Sequence, residues 1–192
     1  MGSVQSKSRA TIKNMDFSFE NSFVRVTANR SCPEIRLAGL NVGPFEEGND
    51  YEVYYWVALE LEKGGIARLR EEDHLDSVKL NKVQWTERIQ TSGQVSKLPE
   101  YVYPMLRRRL AELRKEISKD PEKIREYERF RHLAQDITNS RLRKIVSIAS
   151  APAQTENTLR NFTTEEKLLY FRLYRLIDKW RKQILEYEGV AE

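Results

Sequence analysis

The sequence predicts an α+β protein: a small β-rich N-terminal domain over residues 1–70, followed by an all-α helical bundle domain over residues 71–192. Three observations predict it. Short apolar–polar alternations punctuated by Gly and Pro fill the first 70 residues, the pattern of half-buried strands. From Glu71 onward apolar residues recur at helical spacing over long stretches. Between the two regimes, Gly64-Gly65 ends a short helical run and one last strand-like piece follows.

Taken in order, Arg9 to Lys13 and "FVRVTA" (Phe23 to Ala28, with Phe23, Val24 and Val26) read as short strands. "PEIRLAGL" starts on Pro33 and alternates at Ile35 and Leu37, another strand, and Leu40 to Pro44 reads as a turn. "DYEVYY" alternates Tyr51, Val53 and Tyr55. The period then lengthens. Trp56, Leu59 and Lys63 share one helical face, with Val57 and Leu61 beside it, and the glycine pair stops the run. "IARLR" resumes as a strand. Gly43-Pro44 and Gly48 set the turns, while Tyr51, Val53 and Trp56 are expected to seat the small core.

The helical half begins with "EEDHLDSVKLNKVQWTERI", where Leu75, Val78, Leu80, Val83 and Trp85 fall at helical intervals behind an acidic first turn. "QTSGQVSK" breaks it. A second helix is expected from Pro99, with Val102, Leu106, Leu110, Leu113 and Ile117 as its stripe. Asp120-Pro121 then caps a long helix to Ser150, its buried side marked by Ile124, Tyr127, Phe130, Leu133, Ile137, Leu142, Ile145 and Ile148. After the linker "APAQTENTLRN", Thr163 and Glu166 form a capping box for a last helix over 164–188. That helix carries two apolar stripes, Leu169, Leu173, Leu176, Trp180, Ile184 and Tyr170, Tyr174, Ile177, Leu185, with Leu168 and Phe171 between them. A helix apolar around most of its circumference is covered on two sides. The expectation is that it packs on its own bundle and on a partner.

Composition narrows the functions. With 40% hydrophobic and 10% aromatic residues the chain buries a core rather than staying disordered. The single Cys32 rules out an internal disulfide framework and points to a reducing compartment. No stretch reaches the roughly 18 apolar residues of a membrane span, and "MGSVQSKSRA" lacks an apolar signal core, so an intracellular protein with no membrane contact is expected. Net charge is +4, split as −1 over residues 1–98 and +5 over 99–192. A dedicated duplex binder concentrates more positive charge than that on one face.

The chemistry-bearing constellations are weak. The Gly-rich stretch from Val42 to Leu69 has no lysine-tipped phosphate loop. Pro44 removes an N–H, and Glu46, Glu47 and Asp50 repel an anion. Glu71-Glu72-Asp73-His74 reads as dipole partners rather than ligands, and Cys32, His74 and His132 lack metal-ligand spacing. No nucleophile elbow or triad is assembled, so no catalytic residue, metal or cofactor is expected. Basic candidates are Arg107-Arg108-Arg109, Arg141-Arg143-Lys144 and Lys179, Arg181, Lys182, either solvated helix faces paired with Glu or a weak phosphate-facing stripe.

The stretch "LNVGPFEEGNDYEVYYWVALELEKGGIARL" resembles the small β-rich domain of GINS-family DNA replication proteins through Gly43, Pro44, Phe45, Gly48, Glu52, Val53, Trp56, Ala58, Leu59 and Leu61. "LPEYVYPMLRRRL" is similar to the start of that family's second bundle helix. "DITNSRLRKIVSIAS" is similar to its D-x-x-x-x-R-x-x-K-[IL] segment through Asp136, Arg141, Lys144 and Ile145, and "LRNFTTEEKLLYFRL" to the lead into its last helix. The resemblance covers residues 34–187. It departs at Tyr54-Tyr55, where the family shows Pro-Leu, and residues 1–22 match nothing in it.

The resemblance implies a non-enzymatic scaffold of the class with the small domain first, in its archaeal version. It implies a tetramer with a GINS subunit of the helical-domain-first class. Further implied partners are the MCM helicase, a RecJ-like or Cdc-type protein, and primase or polymerase. Its place would be the cytoplasm, at replication forks on the nucleoid, or the nucleus in a eukaryote. On this reading the partner interface is carried by Tyr170, Phe171, Tyr174, Ile177 and Arg181, and the small domain's structural motif by Gly43, Pro44, Gly48, Val53, Trp56 and Leu59. The rival readings are a nucleic-acid-binding accessory protein making weak DNA contact through Arg107, Arg108 and Arg109, and, behind it, a nucleotide-handling enzyme.

Overall fold

The computed structural model describes residues 12–37, 39–70, 75–90, 94–117, 120–151 and 159–185. The chain divides into two compact units, Met1–Leu75 and Asp76–Glu192. The architecture is α+β, a small β-sheet unit first and a helical bundle second.

The first unit opens with helix α1 (12–20). Lys13 is therefore helical rather than part of a strand, and residues 9–11 lie outside the described set. Strand β1 (Phe23–Ala28) is the centre of a three-stranded antiparallel sheet, flanked by β4 (Asp50–Tyr54) and β5 (Ala67–Leu69). Alternation works as expected along β1: Val26 and Ala28 turn inward while Phe23 is exposed. A second, two-stranded sheet pairs β2 (Ile35–Leu37) with β3 (Leu40–Val42). Leu40–Val42 is thus a strand, not a turn. The reversal sits earlier, at Gly39, whose φ of +83° is open to glycine at no steric cost.

Helix α2 (Tyr55–Lys63) follows β4 without a break and ends as the glycine pair predicts: the Gly64 N–H donates to Glu60 O. Its inward face is Tyr55, Val57, Ala58 and Leu61. Trp56 is 38% exposed, so the core role expected of it belongs to Tyr55. The reason is local. The Tyr55 N–H still donates to Ser22 O, prolonging the β4–β1 edge by one residue, and its ring lies 4.4 Å from that of Phe19. Trp56 then starts the helical period one step round, on the outside.

In the second unit, α3 (Ser77–Ile89) begins at Asp76, whose carboxylate accepts the Lys79 N–H at 2.7 Å. Its inward residues are Leu80 and Glu87, while Val78 and Trp85, both expected on the buried stripe, face outward. Helix α4 (Val102–Ile117) starts three residues beyond Pro99 because Tyr101 sits at φ 54°, outside helical geometry. A 3-10 turn (Pro121–Lys123), with Asp120 accepting the Glu122 N–H, leads into α5 (Ile124–Ala149). Phe130, Leu133, Ile137 and Ile145 on α5 are buried as expected; Ile124 and Leu142 are exposed. Helix α5 is the hub, packed against α3, α4 and α6 (Thr164–Leu185). The start of α6 is the predicted capping box: the Glu166 carboxylate accepts the Thr163 N–H at 2.9 Å, and Thr163 Oγ1 accepts the Glu166 N–H at 3.3 Å. Residues 186–188, expected in that helix, lie outside the described set.

Candidate functional site

Two features of the helical unit stand out, one buried and one exposed. The buried one is an ionic clasp. Arg141, completely shielded on α5, donates from Nη1 to Glu87 Oε1 (2.8 Å) and to Ser96 O (2.7 Å). Its Nε and Nη2 grip both oxygens of Glu166, at 2.7 and 2.6 Å, and Nη2 also reaches Asn161 O at 3.2 Å. One turn on, Lys144 donates to Glu87 Oε2 and Glu87 O, each at 2.8 Å. Tyr103 of α4 donates its hydroxyl to Glu166 Oε1 at 2.7 Å, and Ser96 donates to Glu87 from both its backbone N–H and its hydroxyl. Two cations and two anions cancel, and the clasp ties α3, α4, α5, α6 and the segment around Ser96 together.

The electrostatics follow from that geometry. Burial works against the charged form of Glu87, but hydrogen bonds from Lys144 and Ser96 and the Arg141 charge outweigh it and hold the carboxyl below its ordinary 4.5. Burial also opposes charge on Arg141, and Glu166 and Glu87 reverse the balance, so the guanidinium is held charged more firmly than usual. The Tyr103 phenol is pushed well above its ordinary range, first by burial and then by the neighbouring Glu166 carboxylate. These groups are saturated with internal partners, and each is biased further toward the ionisation state it holds at neutral pH. That is the condition of a structural tie, not of an acid–base pair. Arg141 and Lys144, grouped from sequence as a surface basic cluster, are inside the fold. Glu87 escaped sequence reading, although its seven-residue spacing from Leu80 puts it on the inward face.

The exposed feature lies on α6. Of its two apolar stripes, the one bearing Tyr170 faces the chain's own bundle as far as Ile177, while its last member, Leu185, is 79% exposed. Tyr170 is 1% exposed and packs with Val95, Ile145, Ala149 and Phe162, while Leu173, Tyr174 and Ile177 lie against that cluster. Arg181 is occupied by Ser150 O, to which it donates at 2.6 Å. Tyr170 therefore has no surface to offer a partner; it belongs to the core. Phe171 is exposed, its ring 5.3 Å from that of Tyr170. Of the other stripe, Leu173 lies against the core, while Leu169, Leu176, Trp180 and Ile184 point outward, with Trp180 60% exposed.

The triple arginine on α4 is embedded in carboxylates. Arg108 faces Glu112 at 3.9 Å, and Arg109 has Glu112, Glu116 and Glu126 within 3.3–3.5 Å. Arg107 is half-buried beside them.

In the small unit, the Gly43–Pro44 peptide is cis, and Gly43 has φ +92° with the Phe45 ring against the place a side chain would take. Gly48, at φ +84°, donates its N–H to Ala28 O, Val53 is buried, and Leu59 is half-buried. Of the acidic turn residues, Asp50 receives Thr27 Oγ1 at 2.6 Å and Arg70 Nη1 at 3.0 Å, and Glu46 receives Asn49 Nδ2 at 3.0 Å. Among the described residues no group of His, Cys, Asp or Glu is arranged to hold a metal ion, and no helix is long and apolar enough to cross a membrane. The acidic run at 71–74 lies outside the described set.

Residues 74–185 match the family model described as the GINS complex protein helical bundle domain, and residues 11–70 match the PSF2 N-terminal domain. The human DNA replication complex GINS protein PSF2 is 28% identical over 143 residues, spanning 74% of this chain and 73% of its own length.

Proposed function

The chain belongs to the GINS family, in the class with a PSF2 N-terminal domain ahead of the helical bundle, and is a non-catalytic subunit of the DNA replication complex; from that premise we propose that it acts by docking, joining the MCM helicase to a RecJ-like or Cdc-type partner within a GINS tetramer, with primase or polymerase as a further contact. The functional division we propose is 1–70 for the small docking domain and 71–192 for the tetramer-forming domain.

One observation carries the reading: α6 buries one apolar stripe in its own bundle and presents a second, Leu169, Leu176, Trp180 and Ile184, to the outside. Covering such side chains gains roughly 1.5–3 kcal/mol each, before the cost of association is set against it. The interface expected at Tyr170, Tyr174 and Ile177 is thereby moved round the same helix, with Phe171 at its margin. The place of action is the nucleus in a eukaryote and the nucleoid in an archaeon; the human relative favours the nuclear alternative.

The test is co-expression with a GINS subunit of the helical-domain-first class, followed by native mass measurement. A tetramer is expected, two-plus-two with that subunit or a homotetramer, and a chain that stays monomeric beside every such partner overturns the reading. DNA contact through Arg107, Arg108 and Arg109 is the rival, favoured only by the +5 charge of residues 99–192. Titrating duplex and single-stranded DNA across a salt series decides it, since a phosphate-driven contact weakens steeply with salt.

A further inference from the structure

A second outward face lies on α3, independent of α6 and unused by the reading above. Val78, Trp85 and Ile89 are each 60% or more exposed. Their seven- and four-residue spacings place them on one line along the helix. Leu80 and Glu87 define the inward side, and Gln84, at its edge, donates to Asp136 of α5 at 2.7 Å. The apolar line is therefore opposite the surface that α3 gives to its own bundle.

Within the helix the charge beside this line has one sign, although the N-cap Asp76 and Asp136 of α5, bonded to Gln84, are exposed carboxylates at its start and its edge. Lys82 and Arg88 are exposed on its flanks and Lys79 is half-buried near them. The only carboxylate on the helix, Glu87, is 1% exposed and occupied by Arg141 and Lys144. An exposed Trp between two aliphatic anchors, bordered by cations and by no surface carboxylate of its own helix, is complementary to one kind of surface. We infer that the outer face of α3 docks an acidic amphipathic helix from a partner protein. Its apolar side chains would lie along Val78, Trp85 and Ile89, and its Glu or Asp residues would reach Lys82 and Arg88.

The test uses the full chain and fluorescein-labelled model helices with Leu at i, i+4, i+7 and i+11, one series flanked by Glu and one by Lys. Anisotropy is expected to show the Glu-flanked helix binding at least about tenfold tighter than the Lys-flanked one. Trp85→Ala should weaken it about tenfold or more, and Lys82→Glu with Arg88→Glu should invert the preference toward the Lys-flanked helix. Unchanged helical circular dichroism of these outward-facing variants keeps the comparison valid. Equal binding of both helices, or Trp85→Ala without effect, overturns the proposal. So does tighter binding by a chain cut after Leu185, because the acidic segment 186–192 would then be the occupant. None of these outcomes touches tetramer formation through α6, so the two readings fail separately.

Discussion

Arg141 and Glu166 meet at 2.6 and 2.7 Å through two parallel hydrogen bonds, both side chains almost wholly shielded from water. Glu166 is at the same time the reciprocal half of the α6 capping box. One carboxylate thus starts a helix and anchors that helix to the hub, α5. A buried ion pair adds little net stability against an apolar replacement of the same shape, yet removing one partner strands the other charge. The clasp is therefore a fixed point in the bundle's register, and its members should not be separable.

Glu166→Ala should destabilise the helical unit by about 3–5 kcal/mol, the cost of leaving a buried cation uncompensated. Thr163→Ala, which removes only the other half of the same capping box, should cost about 1 kcal/mol. Urea unfolding followed by helical circular dichroism measures both. Equal costs would mean that Glu166 is a cap and nothing more.

The clasp also sets a pH dependence. Lys144, Ser96 and Arg141 overcome burial and hold the Glu87 carboxyl below 4.5 in the folded chain. Its contribution is therefore present in full above the unfolded value and is lost as pH falls through the lower folded value. The urea midpoint should drop as pH is lowered from about 6 to about 3, and Lys144→Met should lessen the slope, because Glu87 then titrates nearer its unfolded value. An identical slope in the two proteins would remove Glu87 from the account.

The two stripes of α6 predict opposite phenotypes. Tyr170→Ala opens a hole beside Phe162 and Ile145, and should cost about 3–5 kcal/mol in folding, as aromatic truncations in cores do. Leu176→Asp and Trp180→Asp should leave monomer stability within about 0.5 kcal/mol and abolish co-purification with the helical-domain-first subunit. Assembly that survives both aspartates would place the tetramer contact elsewhere on the bundle.

Sequence alone revealed what is decided locally. The Thr163–Glu166 box, the Gly64 exit of α2 and the inward Val26 and Val53 depend on residues a few positions apart, where propensity and periodicity act. What it could not reveal is settled by tertiary partners. Two apolar stripes on α6 are visible in the letters, but which one faces α5 is decided by Val95 and Ile145, far away in the chain. Trp56 looked like a core anchor because aromatics bury the most area, yet the one-residue prolongation of the β4 edge handed that role to Tyr55. The Arg141–Glu87 pair spans 54 residues, and no local pattern announces it.

The glycines of the small unit's turns separate backbone conformation from packing. Gly43 and Gly48 both sit at positive φ, +92° and +84°. A side chain at Gly48 would meet nothing within 4 Å, so Gly48→Ala should cost only the left-handed backbone penalty, about 1–2 kcal/mol. At Gly43 the added carbon would fall 3.1 and 3.2 Å from two ring atoms of Phe45. That ring is held in place, buried and packed edge-on against Tyr51 at 4.9 Å, and its backbone bridges to Cys32. Gly43→Ala should therefore cost more than Gly48→Ala. The excess should appear as faster hydrogen exchange at the paired Phe45 and Cys32 amides, which donate to each other's carbonyls at 2.8 and 2.9 Å. Matching exchange in the two variants would show that Phe45 gives way freely and that backbone conformation alone explains the glycine at 43.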